Sequence, residues 1–287
     1  MARPMRIEFV GALYHITSRG NARSNIFLSE DDNNMFIDIL RLIMERYSWK
    51  CYAYCLMSNH YHLLIETAVP NLSLGMRHLN GIYTQSFNRK HRKSGHVFQG
   101  RFKSFVVDKQ SYLMALSSYI VLNPVRAKLV KRPEEWRWSS YRAAIGLEQT
   151  PKWLDTSFII GQFEGFDEEA RCRYKLFVSE QLNEKSPFSD VVGQIFLGGK
   201  DFVDRMRVKV AEKFNHTEIP REQRHVCRME MKGLFNDTKT NKERNEAIIE
   251  AHIKHGHKQA DIAKHLGLHY TTISKILSNR GNSRFKT

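Results

Sequence analysis

Apolar residues follow two different periods in the first half of the chain, and each change of period marks a predicted element. The run 13–17 predicts a short strand, which turn-forming residues end. After Ser29, a predicted N-cap, apolar side chains recur at helical spacing to about Tyr47. The next predicted elements are two strands, at about residues 49–57 and 60–66, and a helix at about 72–90. A strand or loop at about 95–107 and a helix at about 109–122 follow.

The order strand, helix, strand, strand, helix, strand, helix predicts an α+β fold for residues 1–145. We expect a ferredoxin-like antiparallel sheet with helices packed on it. Pro124 is expected to end the third helix, because proline disfavours helical geometry in the residue before it.

The second half of the chain predicts a different organisation. Residues 146–240 are interpreted as a mostly helical connector region, and residues 241–287 as three helices that end in a helix-turn-helix. Small, turn-forming or buried residues occupy the positions that this motif requires, namely Ala263, Gly267, Ile273 and Leu277. The polar third helix is expected to bind duplex DNA, with candidate contacts at Thr271, Thr272 and Lys275. An ordinary helical hairpin is the alternative.

The charge balance indicates a candidate partner, which the predicted fold alone does not. Lys and Arg total 45 against 30 Asp and Glu, which gives a formal net charge of +15 over 287 residues. A surplus of this size favours a polyanionic partner such as nucleic acid. The alternative is a basic protein without a nucleic-acid partner, because charge describes association rather than fold.

Neither a membrane partner nor secretion is expected. The sequence lacks a run of roughly 18 apolar residues, which a membrane helix needs, and its first residues lack the apolar core of a signal peptide. Cys51 and Cys55 are predicted to share a strand face, and the remaining Cys172 and Cys227 do not complete a zinc set with them. We therefore expect reduced cysteines in the core of a cytoplasmic protein.

A His-x-His pattern in the third predicted segment is a candidate metal site. Successive side chains on a strand point to opposite faces, so His60 and His62 share one face and Tyr61 lies on the other. Two imidazoles so placed can reach one cation; they suit Mn²⁺, and a mixed nitrogen and oxygen site also accepts Mg²⁺. Alone, the pattern is more typical of an ordinary solvated strand.

A tyrosine on the third predicted helix is a candidate nucleophile. Tyr119 and Asn123 are four residues apart, so they lie on the same helix face, one turn displaced. A tyrosine can attack a phosphodiester, and an asparagine can offer its amide oxygen to a metal. The alternative for Tyr119 is a core aromatic, since Tyr112 and Leu116 neighbour it at helical spacing.

Three motifs occur in order: His60-Tyr61-His62, Gly100 to Ser104, and Tyr119 to Ala127. This set closely resembles the single-tyrosine transposases with a histidine-hydrophobe-histidine (HUH) motif, especially the REP-associated tyrosine transposases of the IS200-like superfamily. The resemblance covers about residues 5–145. It implies an HUH nuclease domain that acts on single-stranded DNA, or on DNA hairpins with exposed ends.

The resemblance also implies roles for residues. It implies that His60, His62 and Asn123 bind Mg²⁺ or Mn²⁺, and that Tyr119 forms a 5′-phosphotyrosine and releases a 3′-hydroxyl. No nucleotide cofactor is expected, because the sequence has no Gly-x-x-x-x-Gly-Lys-Ser/Thr loop. Basic side chains that are candidate phosphate contacts are Arg19, Arg101, Lys103 and Arg126.

Two other functions compete with a strand transferase. A DNA-binding regulator could keep the fold without cleavage, although the complete set of candidate residues argues against it. Replication and conjugation nucleases often have a second tyrosine one helical turn from the first, but here those positions hold Ala115 and Asn123. The sequence leaves open whether the protein is a monomer or a homodimer, and whether it moves its own gene or acts on genomic repeats.

Overall fold

The computed structural model describes residues 6–211, 230–236, 238, 240–253 and 255–283, without the side chains of 210, 211 and 279–283. The chain divides into two compact units. One contains Arg6–Val191 and Phe196–Gly199, and the other contains Val192–Ile195 and the residues from Lys200 onwards. Residues 146–191 thus belong to the same unit as most of the predicted N-terminal domain.

The first unit confirms the predicted α+β class. Its main elements are β1 (Ala12–Arg19), α1 (Glu30–Tyr47), β2 (Trp49–Met57), β3 (His60–Thr67), α2 (Leu72–His91), β4 (Lys103–Val107) and α3 (Lys109–Arg126). A capping box between Ser29 and Asp32 begins α1, as the predicted N-cap requires. Ser48 ends this helix in the left-handed region, with φ of 52°.

The sheet is mixed, which corrects the prediction of a purely antiparallel sheet. The strands β1 to β4 form antiparallel pairs in the order β2-β3-β1-β4. Two short strands, β5 (Val191–Val192) and β6 (Phe196–Leu197), extend the sheet beyond β4, and β6 is parallel to β4. Both come from the region predicted to be mostly helical, where strands of two residues are too short to show a period.

The two faces of the sheet pack against different helices. Tyr61 of β3 contacts the ring of Phe36 on α1, whereas Leu64 of the same strand belongs to the core cluster that includes α3. Because both faces are covered, β2 and β3 are almost entirely buried. This burial fixes the register, since a slip of one residue would exchange the two faces of β3.

A β-bulge in β2 overturns the prediction that Cys51 and Cys55 share a face. The register shifts between Cys51 and Ala53, so that Cys51 pairs with Ile65 and Cys55 pairs with His62. These two partners alternate to opposite faces of β3, and the cysteines follow them. Both cysteines are buried and free, as expected, but Cys172 is exposed, and Cys227 lies outside the described residues.

Pro124 does not end α3, which continues to Arg126. Proline has no N–H and leaves the carbonyl one turn earlier, at Ile120, without its helical donor. The side-chain amide of Asn123 replaces that donor: Nδ2 donates to Ile120 O at 3.2 Å and to Tyr119 O at 2.9 Å. The predicted end of the helix was therefore wrong because a side chain satisfies the freed carbonyl.

Residues 141–190 cover α3. Helices α4 (Tyr141–Ala144), α5 (Thr156–Ile160) and α6 (Asp167–Glu180) contribute to the same core cluster as α3, through Tyr141, Ile159 and Tyr174 among others. A 3-10 turn at Pro187–Asp190 follows them.

From Lys200 onwards, the described part of the second unit is helical. It contains α7 (Lys200–Ala211), α8 (Met231–Phe235), α9 (Asn241–Ile253), α10 (Gln259–Leu266) and α11 (Tyr270–Ser283). The last three helices share a small core, made of Ile248, Ala251, Ile262, Ala263 and Ile273. Gly267 ends α10 with φ of 64°, the left-handed conformation that glycine adopts without strain. Among the described helices of both units, none is long and apolar enough to cross a membrane.

Candidate active site

The structure brings His60, His62 and Tyr119 together on the α3 face of the sheet. The alternation of β3 places both histidines on this face, and α3 packs across it. The imidazole rings of His60 and His62 have centroids 5.0 Å apart. The Tyr119 ring meets His62 edge to face, with centroids 6.2 Å apart. A half-buried phenol thus lies beside a buried imidazole.

Asn123 lies one helical turn beyond Tyr119, as its spacing predicts. Its Nδ2 is used for the two backbone carbonyls that keep α3 intact. Only the amide oxygen, Oδ1, is therefore available as a ligand atom. The same side chain would hold the helix at Pro124 and offer one oxygen towards a metal.

A third histidine, which sequence analysis missed, contacts the pair. His15 on β1 is buried, and its Nε2 lies 2.9 Å from Nδ1 of His62. Its other ring nitrogen, Nδ1, has no hydrogen-bond partner within the described residues. The only signal for His15 in the sequence was a polar residue at a buried position of an apolar strand. The cross-strand neighbour of His62 is Thr17, so the partner of His62 could not be found from spacing.

The contact between His15 and His62 bears on which nitrogen can bind a cation. Burial lowers the pKa of His15 to about 3 and holds that of His62 well below its usual value. Both rings are therefore neutral, and one proton is shared between the two facing nitrogens. When His62 Nδ1 donates to His15, the lone pair on His62 Nε2 is free, which is the form that binds metals.

The donor set agrees with the expected metals in type, while its arrangement is incomplete. Two neutral imidazoles and an amide oxygen are ligands that Mn²⁺ accepts, and Mg²⁺ accepts the oxygen. Within the described ranges, no group of three or more His, Cys, Asp or Glu side chains is arranged to hold a metal ion. His60, His62 and Asn123 remain the candidate ligands.

An aromatic side chain from beyond residue 145 covers the site. The Phe188 ring has its centroid 5.1 Å from that of Tyr119, 4.7 Å from that of His15 and 5.2 Å from that of Phe105. The hydroxyl of Tyr112 donates to Asp190 at 3.2 Å, which attaches the turn to α3. Sequence analysis gave no signal for Phe188, because its contacts join segments far apart in the chain.

The basic residues predicted as phosphate contacts do not all lie beside Tyr119. Arg126 lies with its guanidinium carbon 5.0 Å from the centre of the Tyr119 ring, and its Nη2 donates to Gln181 O. Arg19 is the cross-strand neighbour of His60 on β1. Burial lowers the pKa of His60, and the positive charge of Arg19 lowers it further. Lys103 is exposed at the start of β4, and Arg101 lines a separate cavity.

Comparison with known proteins places this arrangement in a class. Residues 9–123, which hold the histidine pair, Tyr119 and Asn123, match the family model described as "Transposase IS200 like". The class is therefore that of a DNA transposase domain. Residues 9–123 of this chain are therefore similar to the transposase domain of the IS200-like family.

Individual relatives are similar over about 41–53% of the chain. A putative REP-associated tyrosine transposase of Haemophilus influenzae is 27% identical over 154 residues, which are 50% of this chain and 86% of that protein. A solved REP-associated tyrosine transposase bound to a REP hairpin is 18% identical, with a TM-score of 0.45 over 53% of this chain and 89% of that one. A putative transposase from Deinococcus radiodurans is 19% identical, with a TM-score of 0.31 over 41% and 95% of the two chains.

Proposed function

We propose that this chain cleaves and rejoins single-stranded or hairpin DNA through a covalent intermediate on Tyr119. The position of Tyr119 is the observation that supports this most: it lies between His62 and the guanidinium of Arg126, in a domain of a transposase family. A tyrosine with these neighbours is suited to attack on a phosphate, because one cation, Arg126, and one neutral imidazole, His62, lie beside its ring.

The proposed reaction exchanges one phosphodiester bond for another. The Tyr119 oxygen attacks phosphorus, the bond from phosphorus to the 3′-oxygen breaks, and the product is a 5′-phosphotyrosine with a free 3′-hydroxyl. The phenol proton leaves to solvent or base, and the departing 3′-oxygen takes up a proton. Attack by another 3′-hydroxyl then reverses these steps and joins two strands, which requires no nucleotide cofactor.

The protein supplies charge stabilisation at the attacked phosphate. Arg126 places a positive charge near the ring of Tyr119, where negative charge develops on the phosphate oxygens during attack. A Mg²⁺ or Mn²⁺ ion held by His60, His62 and Asn123 would polarise the phosphate. The neutral state of His62, which burial enforces, supports this proposal.

The topology supports the ferredoxin-like interpretation of the HUH nuclease domain. The order β1-α1-β2-β3-α2-β4 along the chain, with the strands in the spatial order β4-β1-β3-β2, is that of a split βαβ arrangement. We keep the functional division into a transposase domain at 1–145, a connector at 146–240 and a DNA-binding end at 241–287. Phe188 gives the first part of the connector a place at the site.

The experiment that tests the proposal looks for the covalent intermediate directly. The purified protein is mixed with Mn²⁺ and an end-labelled DNA hairpin that has unpaired flanks, taken from the sequence around its own gene. A labelled band at the mass of protein plus DNA on a denaturing gel is expected. Tight DNA binding without such a band, across several hairpins and with Mg²⁺ or Mn²⁺, would favour the regulator instead.

Phe188→Ala is expected to accelerate adduct formation. The ring covers Tyr119 and His15, and an incoming strand must take its place. An aromatic pair contributes about 0.5–1.5 kcal/mol, so we expect a rate about 2–10 times higher with short unpaired DNA. The matched control is Phe166→Ala, because Phe166 is 90% exposed. An unchanged or lower rate, at unchanged melting temperature, would show that Phe188 does not restrict access.

The last two helices support a helix-turn-helix that docks on duplex DNA. Gly267 makes the tight turn between α10 and α11, and Thr271 and Lys275 are exposed on α11, with Thr272 half-buried. Lys275→Gln is expected to weaken duplex binding, with a salt slope lower by about 1, and to leave adduct formation on single strands unchanged. Lys242→Gln, an exposed lysine on α9, is the control. Equal losses for both variants would contradict the proposed docking of α11.

A further inference from the structure

A cavity of about 570 Å³ lies beside α2 and brings three arginines together, Arg6, Arg77 and Arg101. We call it the arginine pocket. Arg6 precedes β1, Arg77 lies on α2, and Arg101 lies in the segment before β4. The buried side chains of Met76 and Phe102 line the same cavity.

Within the described residues, no ion pair neutralises the positive charge of the arginine pocket. The guanidinium carbon of Arg6 lies 3.8 Å above the Phe102 ring, and its Nη1 donates to Ser73 Oγ at 3.3 Å. In the described part of the chain, neither Arg77 nor Arg101 forms an ion pair. Burial and the charge of Arg101 lower the pKa of Arg6 to about 10. The like charges therefore repel one another in the absence of an anion.

The nearby carboxylate is used to fix α2. Glu8 Oε1 accepts from the backbone N–H of Ser73, at 2.9 Å, and from the Ser73 hydroxyl. Glu8 raises the pKa of Arg6 by less than the other two causes lower it. Its hydrogen bonds hold it at the first turn of α2 rather than against a guanidinium.

The arginine pocket is separate from the candidate active site. Its Asn80 accepts a hydrogen bond from Tyr61, 2.6 Å away, and Tyr61 lies on the face of β3 opposite to His60 and His62. A ligand there cannot touch Tyr119. DNA that reaches both places must extend beyond the attacked phosphate.

We infer that the arginine pocket binds a backbone phosphate of the DNA substrate, away from the bond that is cleaved. The inference rests on the proposed function, which supplies DNA as the ligand. Its binding site, however, is formed by residues other than those of the candidate active site. An anion between the guanidinium groups removes their mutual repulsion, and a guanidinium matches phosphate oxygens with two parallel hydrogen bonds. Such a contact positions the DNA and adds affinity without reading its sequence.

The test replaces Arg77 and Arg101, the two arginines for which the described residues provide no ion pair. Arg77→Gln, Arg101→Gln and the double variant are compared with the wild type for binding to a labelled hairpin over a range of salt concentrations. Removal of each phosphate contact should lower the slope of log K against log salt by about 0.7–0.9. The double variant should bind about tenfold more weakly at moderate salt. Arg46→Gln, an exposed arginine at the end of α1, controls for the decrease in net charge.

Two outcomes would overturn the inference. The pocket variants could match Arg46→Gln in slope and affinity, which would leave only the general effect of net charge. Inorganic phosphate, at constant ionic strength, could raise the melting temperature of the wild type and not of the double variant while both bind DNA equally, which would indicate a small-anion site.

Failure of the proposed function would look different. If no variant and no wild-type protein forms an adduct, the cleavage proposal fails, whereas the comparison of salt slopes still decides the role of the arginine pocket.

Discussion

Tyr119→Phe is expected to abolish the covalent protein–DNA adduct, with a loss on the order of a thousandfold or more. The substitution removes the one oxygen that would bond to phosphorus. It keeps the ring that packs against His62, Phe188 and Arg126, so the fold and the affinity for DNA should change little. The measurement is the labelled adduct on a denaturing gel, together with the dissociation constant of the same hairpin.

Tyr112→Phe is the matched control for this prediction. Tyr112 lies on the same helix, two turns before Tyr119, and its hydroxyl bonds to Asp190 rather than facing the histidines. This variant should form the adduct at the wild-type rate or faster, because it loosens the turn that holds Phe188. Adduct in Tyr119→Phe, or its loss in Tyr112→Phe alone, would mean that another residue is the nucleophile.

The sequence predicted the elements of the site because their signals are local. Alternation on β3 placed His60 and His62 on one face, and helical spacing placed Asn123 one turn beyond Tyr119. Both patterns depend only on the period of a strand or a helix, and each is present within a few residues. The packing of α3 onto the histidine face followed from the resemblance to the family, not from these periods.

What the sequence could not predict depends on contacts between distant segments. His15 meets His62 across two paired strands, and Phe188 reaches the site from a turn that follows three further helices. The bulge that separates Cys51 from Cys55 and the side-chain bond that carries α3 past Pro124 also leave no periodic trace. Such features are decided by packing and by the need to satisfy buried polar groups.

The basic residues illustrate the same limit. Composition predicted a polyanionic partner, but it could not rank the individual cations. The structure separates Arg126, beside Tyr119, from Arg101, which joins Arg6 in the arginine pocket. The arginines that contribute to the net charge thus have two distinct proposed roles, stabilisation of the attacked phosphate and positioning of the DNA around it.

Combined replacement of His60 and His62 by alanine is expected to remove metal-dependent cleavage. A metal at a phosphate contributes several kcal/mol, so the rate of adduct formation should fall by on the order of a hundredfold or more. Binding of Mn²⁺, followed by electron paramagnetic resonance of the free ion, should be lost in parallel. His96→Ala is the matched control, because His96 is exposed. Wild-type cleavage that persists after chelation of all divalent metal would refute the proposed metal role.

The two histidines will not respond equally, because only His62 is bonded to His15. Removing the His62 ring leaves Nε2 of buried His15 without its partner, which should cost stability as well as metal affinity. His60 is half-buried, and its hydrogen bond to Asn59 lies near the surface, so His60→Ala should lower Mn²⁺ affinity at an almost unchanged melting temperature. If the two single variants instead lost stability equally and bound Mn²⁺ as the wild type does, the histidine pair would be a packing feature. The tyrosine would then have to act with Arg126 and without a metal ligand from β3.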